Sequence, residues 1–354
     1  MMIKKNNQIV IWRIIFAYII MIYHFDNKYL LTAGLWGNSG WYIGVEFFFV
    51  VSGFLLYVKL DDRMARYKSS FAFLWHRIKH IYPYYLAAFI LTLVFLLIRD
   101  GVPENLFRFA SRAVFEMLAL QGAGLDMGWD FINNTGWFVS VLFISEFLLF
   151  YALARWKKTV TEYVLPIVII VCFSFLYRNL GGIGAGPQTT GFYENWGLMR
   201  GLLDMSAGIL AAKWSMYLRE KYTDTRLLRL MGSLGFCAVI VCSLFTGNSK
   251  IDFIYLIIIS VSAALVFLPS ECRIYENKFI QEWSSITLII YLTHDMFRTS
   301  IFPMLFGYPE SFSERFGLLI LYIVTVTVFS AVLKEVLLGL HKAGSRICGS
   351  RTSR

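Results

Sequence analysis

The sequence predicts an all-α, polytopic membrane protein: a bundle of about ten transmembrane helices with both termini in the cytoplasm. Three observations carry that prediction. Of the 354 residues, 58% are hydrophobic and 18% aromatic, only 16% are charged, and mean hydropathy is +0.61. Apolar runs of roughly 18 residues or more, the length a helix needs to cross a bilayer, recur from one end of the chain to the other. Lys and Arg are unevenly shared among the connecting segments. About two-thirds of the 33 fall in alternate segments, a roughly threefold excess that the positive-inside bias assigns to the cytoplasm. The net charge of +10 follows from this topology and from attraction to anionic membrane lipids, so no nucleic-acid partner is expected.

Taken in order, the spans are 8–26, 41–58, 83–98, 136–154, 163–178, 196–212, 230–246, 252–269, 284–303 and 316–338. Lys4 and Lys5 precede the first, but no small-residue cleavage site follows, so it is a retained helix and not a signal peptide. The second is "GVEFFFVVSGFLL" at 44–56. Segment 59–82 is basic, mixes Phe71, Trp75 and Ile78 with Arg77, Lys79 and His80, and suits the inner interface, with Pro83 opening the third span. The longest outer loop is 99–135, where "NLFRFASRAVFEMLAL" reads as an amphipathic helix and "QGAGLDMGWDFINNTG" as turns. "GGIGAGP", in loop 179–195, lacks the strand and helix of a phosphate cradle and reads as a flexible loop. No repeat and no appended soluble domain is visible, so residues 1–354 read as one integral membrane domain. Cys172, Cys237, Cys242, Cys272 and Cys348 show neither a disulfide framework nor a zinc spacing and read as packing residues.

The first span also carries Arg13 and His24. Eleven residues turn an α-helix by about 1100°, three turns plus about 20°, so both side chains leave one face, about 16 Å apart along the axis. Each can snorkel to its nearest headgroup layer, but an intramembrane ionisable residue is functional by default. Glu46 lies in the phenylalanine-rich second span, at a depth within a turn or two of His24, where a carboxylate can hold an imidazole's tautomer. Gly53 shares the face of Glu46 and Ser52 does not; the small pair also suits close helix packing.

Together, Arg–x10–His, "GVEFFFVVSGFLL" and "FLWHRIKHIYPYY" resemble the integral membrane acyltransferase family three, which includes O-antigen and exopolysaccharide O-acetylases. The match is strongest over residues 9–85. It implies a bundle of about ten helices in the plasma (inner) membrane of a bacterium. It also implies that an acyl group, acetyl by family frequency, passes from cytoplasmic acetyl-CoA to a hydroxyl of a carbohydrate acceptor outside. By resemblance His24 is catalytic and Arg13 essential; Glu46, from its burial at a similar depth, is expected to orient His24. Arg77 matches the first of a cytoplasmic arginine pair and His80 stands at the second, so Arg13, Arg77 and His80 are the expected acetyl-CoA contacts. A histidine meets phosphate less well than a bidentate guanidinium. In "WFVSVLFISE" Trp137 and Ser140 fit the family's fourth-span motif, whereas Glu146 comes nine residues after the Trp, too far along to do the same job. "YLTHDMFR" resembles the family's late-span Tyr and His, which makes His294 either a secondary site residue or a core histidine. Asp295 and Arg298, three apart, suit an ion pair.

These readings lead to one expected mechanism. The nucleotide stays near the basic segment, the thin pantetheine arm lies along the face holding Arg13, and the thioester meets His24. His24 then acts as a general base or takes the acyl group itself; the sequence leaves both open. His76 and His80, at i,i+4, have a metal-binding spacing but no acidic third ligand, so phosphate contact or an interfacial basic patch is expected and no metal. Trp41, Trp129 and Trp137 suit either sugar stacking or an interfacial belt. A transporter or flippase of a polysaccharide precursor or anion is the alternative, with Arg13, His24, Glu46 and Arg200 as its buried path. Dependence on acyl-CoA separates the two. A purely structural protein leaves these buried charges unexplained.

Overall fold

A computed structural model describes residues 8–31, 39–124, 131–184, 195–270 and 272–351. Among them the chain is helical throughout, without a β-strand. The helices are α1 (Ile9–Tyr29), α2 (Gly44–Val58), α3 (Leu60–Arg66), α4 (Ser70–Asp100), α5 (Leu106–Met117), α6 (Gly136–Thr159) and α7 (Leu165–Leu180). There follow α8 (Trp196–Lys221), α9 (Arg226–Leu244), α10 (Asp252–Val266), α11 (Lys278–Ser285), α12 (Thr287–Met296), α13 (Phe302–Phe306) and α14 (Phe312–Arg351). A helix lies on each of the ten segments marked by apolar runs, but among the described residues six helical stretches are long and apolar enough to cross a bilayer. The shortfall has physical causes. The predicted sixth span falls in α8, which carries Arg200, Asp204 and Lys213. The eighth falls in α10, a shorter apolar helix. The ninth is broken into α12, a π-turn at Phe297–Ile301 and α13. The fourth and fifth are joined through a π-turn at Val160–Val164 into one helical run, Gly136–Leu180, so their predicted connecting segment is helical.

The basic segment also differs from expectation. It does not lie wholly along a surface: α4 starts at Ser70, capped by the Ser69 hydroxyl, which accepts from Ala72 N–H at 3.1 Å. Pro83 sits inside that helix rather than opening it. The amphipathic helix expected in the long loop is α5, and its buried Glu116 accepts backbone N–H groups from Ile132 at 2.5 Å and Asn133 at 3.0 Å. Trp129 and the last three residues of "GGIGAGP" lie outside the described residues. The indole N–H of Trp41 donates to Ile240 O at 2.9 Å. No described cysteine forms a disulfide. Cys172 is buried, whereas Cys237, Cys242 and Cys272 are exposed rather than packed.

Two packing features position the site. Helices α2 and α8 cross backbone to backbone. A Cβ on Gly53 would stand 2.1 Å from Met205 O, and one on Gly208 would stand 2.0 Å from Val50 O. Small residues permit such an approach, and dispersion then holds it in an apolar medium. The hydroxyl of Ser52 meanwhile donates to Phe48 O at 2.8 Å, within its own helix. Secondly, α1 packs on α12 and α14, where Phe25, Tyr29, Ile290 and Tyr322 form one buried cluster. The far side of α14 exposes Val324, Val328, Val332 and Val336, an i,i+4 stripe suited to lipid.

Candidate active site along the first helix

Arg13 and His24 both face α12. Arg13 Nη2 donates to Thr287 Oγ1 at 3.5 Å, and the His24 ring lies 5.1 Å from that of His294, centroid to centroid. The common face expected from their spacing is therefore the seam between these two helices. His294 is fully buried. Its Nδ1 lies 2.7 Å from Tyr291 O and 3.3 Å from Ile290 O. A ring nitrogen held against carbonyls must donate, so Nδ1 carries the proton and Nε2 keeps the lone pair. Among the described residues Nε2 has no hydrogen-bond partner.

The backbone of α12 is fixed from two sides: Tyr322 Oη donates to His294 O at 3.0 Å, and Asn133 Nδ2 to Leu292 O at 3.2 Å. Asp295 and Arg298 form the expected ion pair, at 2.5 and 2.9 Å.

Glu46 does not serve His24. It is fully buried, and its Oε1 accepts from Arg200 Nε at 2.9 Å and Nη2 at 2.5 Å. The ionisable groups that bear on His24 are His294, Arg298 and Asp295. The reason is the α2–α8 crossing. It sets the first turn of α2 against α8, and a buried carboxylate is held by the guanidinium it meets there. Trp137 covers this pair, with Arg200 Cζ 5.1 Å from its ring and Phe49 packed beside it. Asp204, a turn further along α8, is also fully buried, and neither of its oxygens has a hydrogen-bond partner among the described residues. Two charges four apart in an apolar helix were the sequence signal for this cluster. Ser140 belongs to neither group: its Oγ accepts from Gly122 N–H at 2.8 Å and so pins the loop that follows α5.

At the basic end of the bundle a groove of about 380 Å³ lies between α3 and α4. Arg77 and His80 both line it, as do Lys59, Arg63, Arg66 and His76. Glu146, nine residues after Trp137 on α6, is the bidentate partner of Arg77, accepting from Nε at 2.7 Å and Nη2 at 2.9 Å. Its distance from Trp137 along the helix is what carries it to this end. Arg77 is thereby neutralised. The Nδ1 of His80 lies 2.9 Å from His76 O and donates there, which leaves Nε2 as its outward atom.

The cations left in the groove come from α3. Arg63 stacks over Phe73 at 5.1 Å and Arg66 over Tyr67 at 5.7 Å. Arg63 Nη1 is buried without a hydrogen-bond partner among the described residues. Burial, together with the neighbouring cations, holds Lys59 and Arg63 below their ordinary pKa, as expected where positive charge exceeds its counter-charge. Arg77 and Lys59 each interact electrostatically with Arg13. Arg13 therefore lies within electrostatic reach of the groove, and His24, facing His294, lies further along the same helix.

A family model described as an acyltransferase domain, acyltransferase 3, matches residues 6–335. No curated protein and no solved structure gives a significant match.

Proposed function

Because the chain belongs to the acyltransferase 3 family and is a multi-pass membrane acyltransferase, we propose that it O-acetylates a surface or exported carbohydrate from cytoplasmic acetyl-CoA. One domain crosses the inner membrane of a bacterium ten times, with both termini in the cytoplasm. The observation that supports this reading is that Arg13, within electrostatic reach of a groove with surplus positive charge, shares one helix face with His24, which meets a second histidine.

The nucleotide phosphates of the donor bind in the groove, chiefly to Lys59, Arg63 and Arg66, because Arg77 is committed to Glu146. His80 offers Nε2 beside them. The pantetheine arm lies along the α1–α12 seam past Arg13, and a span of about 16 Å from Arg13 to His24 suits its length. At the far end, His24 acts on the thioester in one of two ways. As a general base it takes the proton of the sugar hydroxyl while that oxygen attacks the acetyl carbonyl; the C–S bond breaks, and the proton passes to the CoA thiolate. As a nucleophile it takes the acetyl group first and releases CoA, then yields the group to the sugar oxygen. His294, neutral and with its Nε2 lone pair beside His24, serves as the second base in either case. Glu46 and Arg200 position α2 against α8 and stay outside the proton path.

The test is acetyl transfer in membranes expressing the chain and supplied with radiolabelled acetyl-CoA. Label in surface polysaccharide, lost in His24→Ala and His24→Gln variants that fold normally, is the expected result. Full transfer in those variants would overturn the role of His24. Transport of a precursor without any need for acyl-CoA would favour the flippase.

A further inference from the structure

Beside the donor groove lies a second one that the proposed reaction does not use. It has a volume of about 460 Å³ and runs between the α3–α4 link and α6. This is within the range of small-ligand sites, roughly 300–1,000 Å³. Its polar wall holds Lys68, Ser69 and Ser70, and its floor is Phe147, Phe150 and Tyr151 of α6. Arg155 lines it too, its Cζ 4.0 Å from the Tyr151 ring centroid, so the guanidinium rests on the aromatic floor. Lys68 and Arg155 are both exposed. Phe71, on the wall, and Trp156, next to Arg155, expose 68% and 56% of their surface. Two cations over an aromatic floor, with an apolar rim, match an amphiphile with an anionic head.

We propose that this groove binds the headgroup of an anionic phospholipid, its phosphodiester between Lys68 and Arg155 and its acyl chains along the exposed aromatics. The site lies where α6 bends: Trp156 has non-helical angles of φ −135° and ψ 48°, and Lys157 and Lys158 follow it. That combination of a helix bend, aromatics and lysines marks a membrane interface, and anionic lipid is concentrated in the cytoplasmic leaflet. The inference rests on the orientation given under Proposed function and is independent of the acyl transfer. Tyr67 lines both grooves, so a lipid here shares a wall with the donor site.

The experiment is native mass spectrometry of the full-length protein in detergent, titrated with phosphatidylglycerol or with phosphatidylcholine of the same chains. Wild type is expected to retain phosphatidylglycerol preferentially. The Lys68→Ala/Arg155→Ala double variant should lose that retention roughly thirtyfold, the effect of two charges near a membrane surface. Lys158→Ala, on the same helix but outside the groove, should keep it. Equal retention by the double variant would overturn the proposal, and so would equal retention of the two lipids. Displacement by millimolar inorganic phosphate would show a phosphate site rather than a lipid site. Because no arm measures acetyl transfer, failure of the acyltransferase mechanism leaves this result intact, and the reverse also holds.

Discussion

Four of the five histidines occur in two pairs, and the pairs differ in origin. His76 and His80 are neighbours on one helix, with ring centroids 4.1 Å apart at the exposed rim of the donor groove. His24 and His294 come from opposite ends of the chain and meet at 5.1 Å only because α1 packs on α12. The local pair follows from i,i+4 spacing, and His80 Nδ1 donates within the helix, to His76 O. The tertiary pair keeps, among the described residues, an unpartnered nitrogen in the interior, which folding alone does not favour. Under the proposed mechanism the second pair does the chemistry and the first contributes, at most, to donor binding.

Substitutions can break this contrast. His24→Ala should lower kcat for acetyl transfer by roughly 10²–10⁴-fold, the range of a lost general base, with normal expression and donor binding. If His80→Ala cost as much, the contrast would collapse. Arg200→Ala should come next. It strands Glu46, with Asp204 nearby, and should destabilise the fold by about 3–5 kcal/mol, seen as an early thermal transition of purified protein. Glu46→Gln, which keeps a hydrogen-bonding acceptor, should cost less. An inactive but fully stable Arg200→Ala would instead place the cluster in catalysis.

His294→Ala should lower kcat by about 10²-fold, the lower end of the general-base range, without changing KM for acetyl-CoA. A core histidine would show lost stability and unchanged kcat. Arg63→Ala should raise KM for acetyl-CoA by about tenfold at constant kcat, as expected on losing one charged hydrogen bond to phosphate. His76→Ala should be the mildest, within about twofold in every parameter, since a surface substitution away from the core seldom shifts stability by more than about 0.5 kcal/mol.

What was legible in the sequence follows from how far each relation reaches. Helix geometry alone placed Arg13 and His24 on one face, and both meet α12. The family motifs marked His294 only as one of two readings, because nothing local says which helix it meets. The burial of Glu46 was also visible, but its partner lies 154 residues away. Assigning it to His24 assumed that equal depth means contact. The pairing of Glu146 with Arg77 is hidden for a related reason: it depends on α4 extending down to Ser70, whereas Pro83 suggests a later start. Counting spans by apolarity overlooked the polar face of α8 and the π-turn within 284–303, where site residues replace lipid-facing ones.

The glycine crossing of α2 and α8 has a mechanical consequence. Two helices in backbone contact cannot slide or rotate separately without collision, so they move as a single beam. The α1–α12 seam is closed by side chains instead: Phe25 and Ile290 share a buried cluster, Arg13 reaches Thr287 at 3.5 Å, and His24 faces His294. Side chains can change rotamer where crossed backbones cannot, so under the proposed mechanism it is this seam, and not the beam, that makes room for a long, thin donor arm.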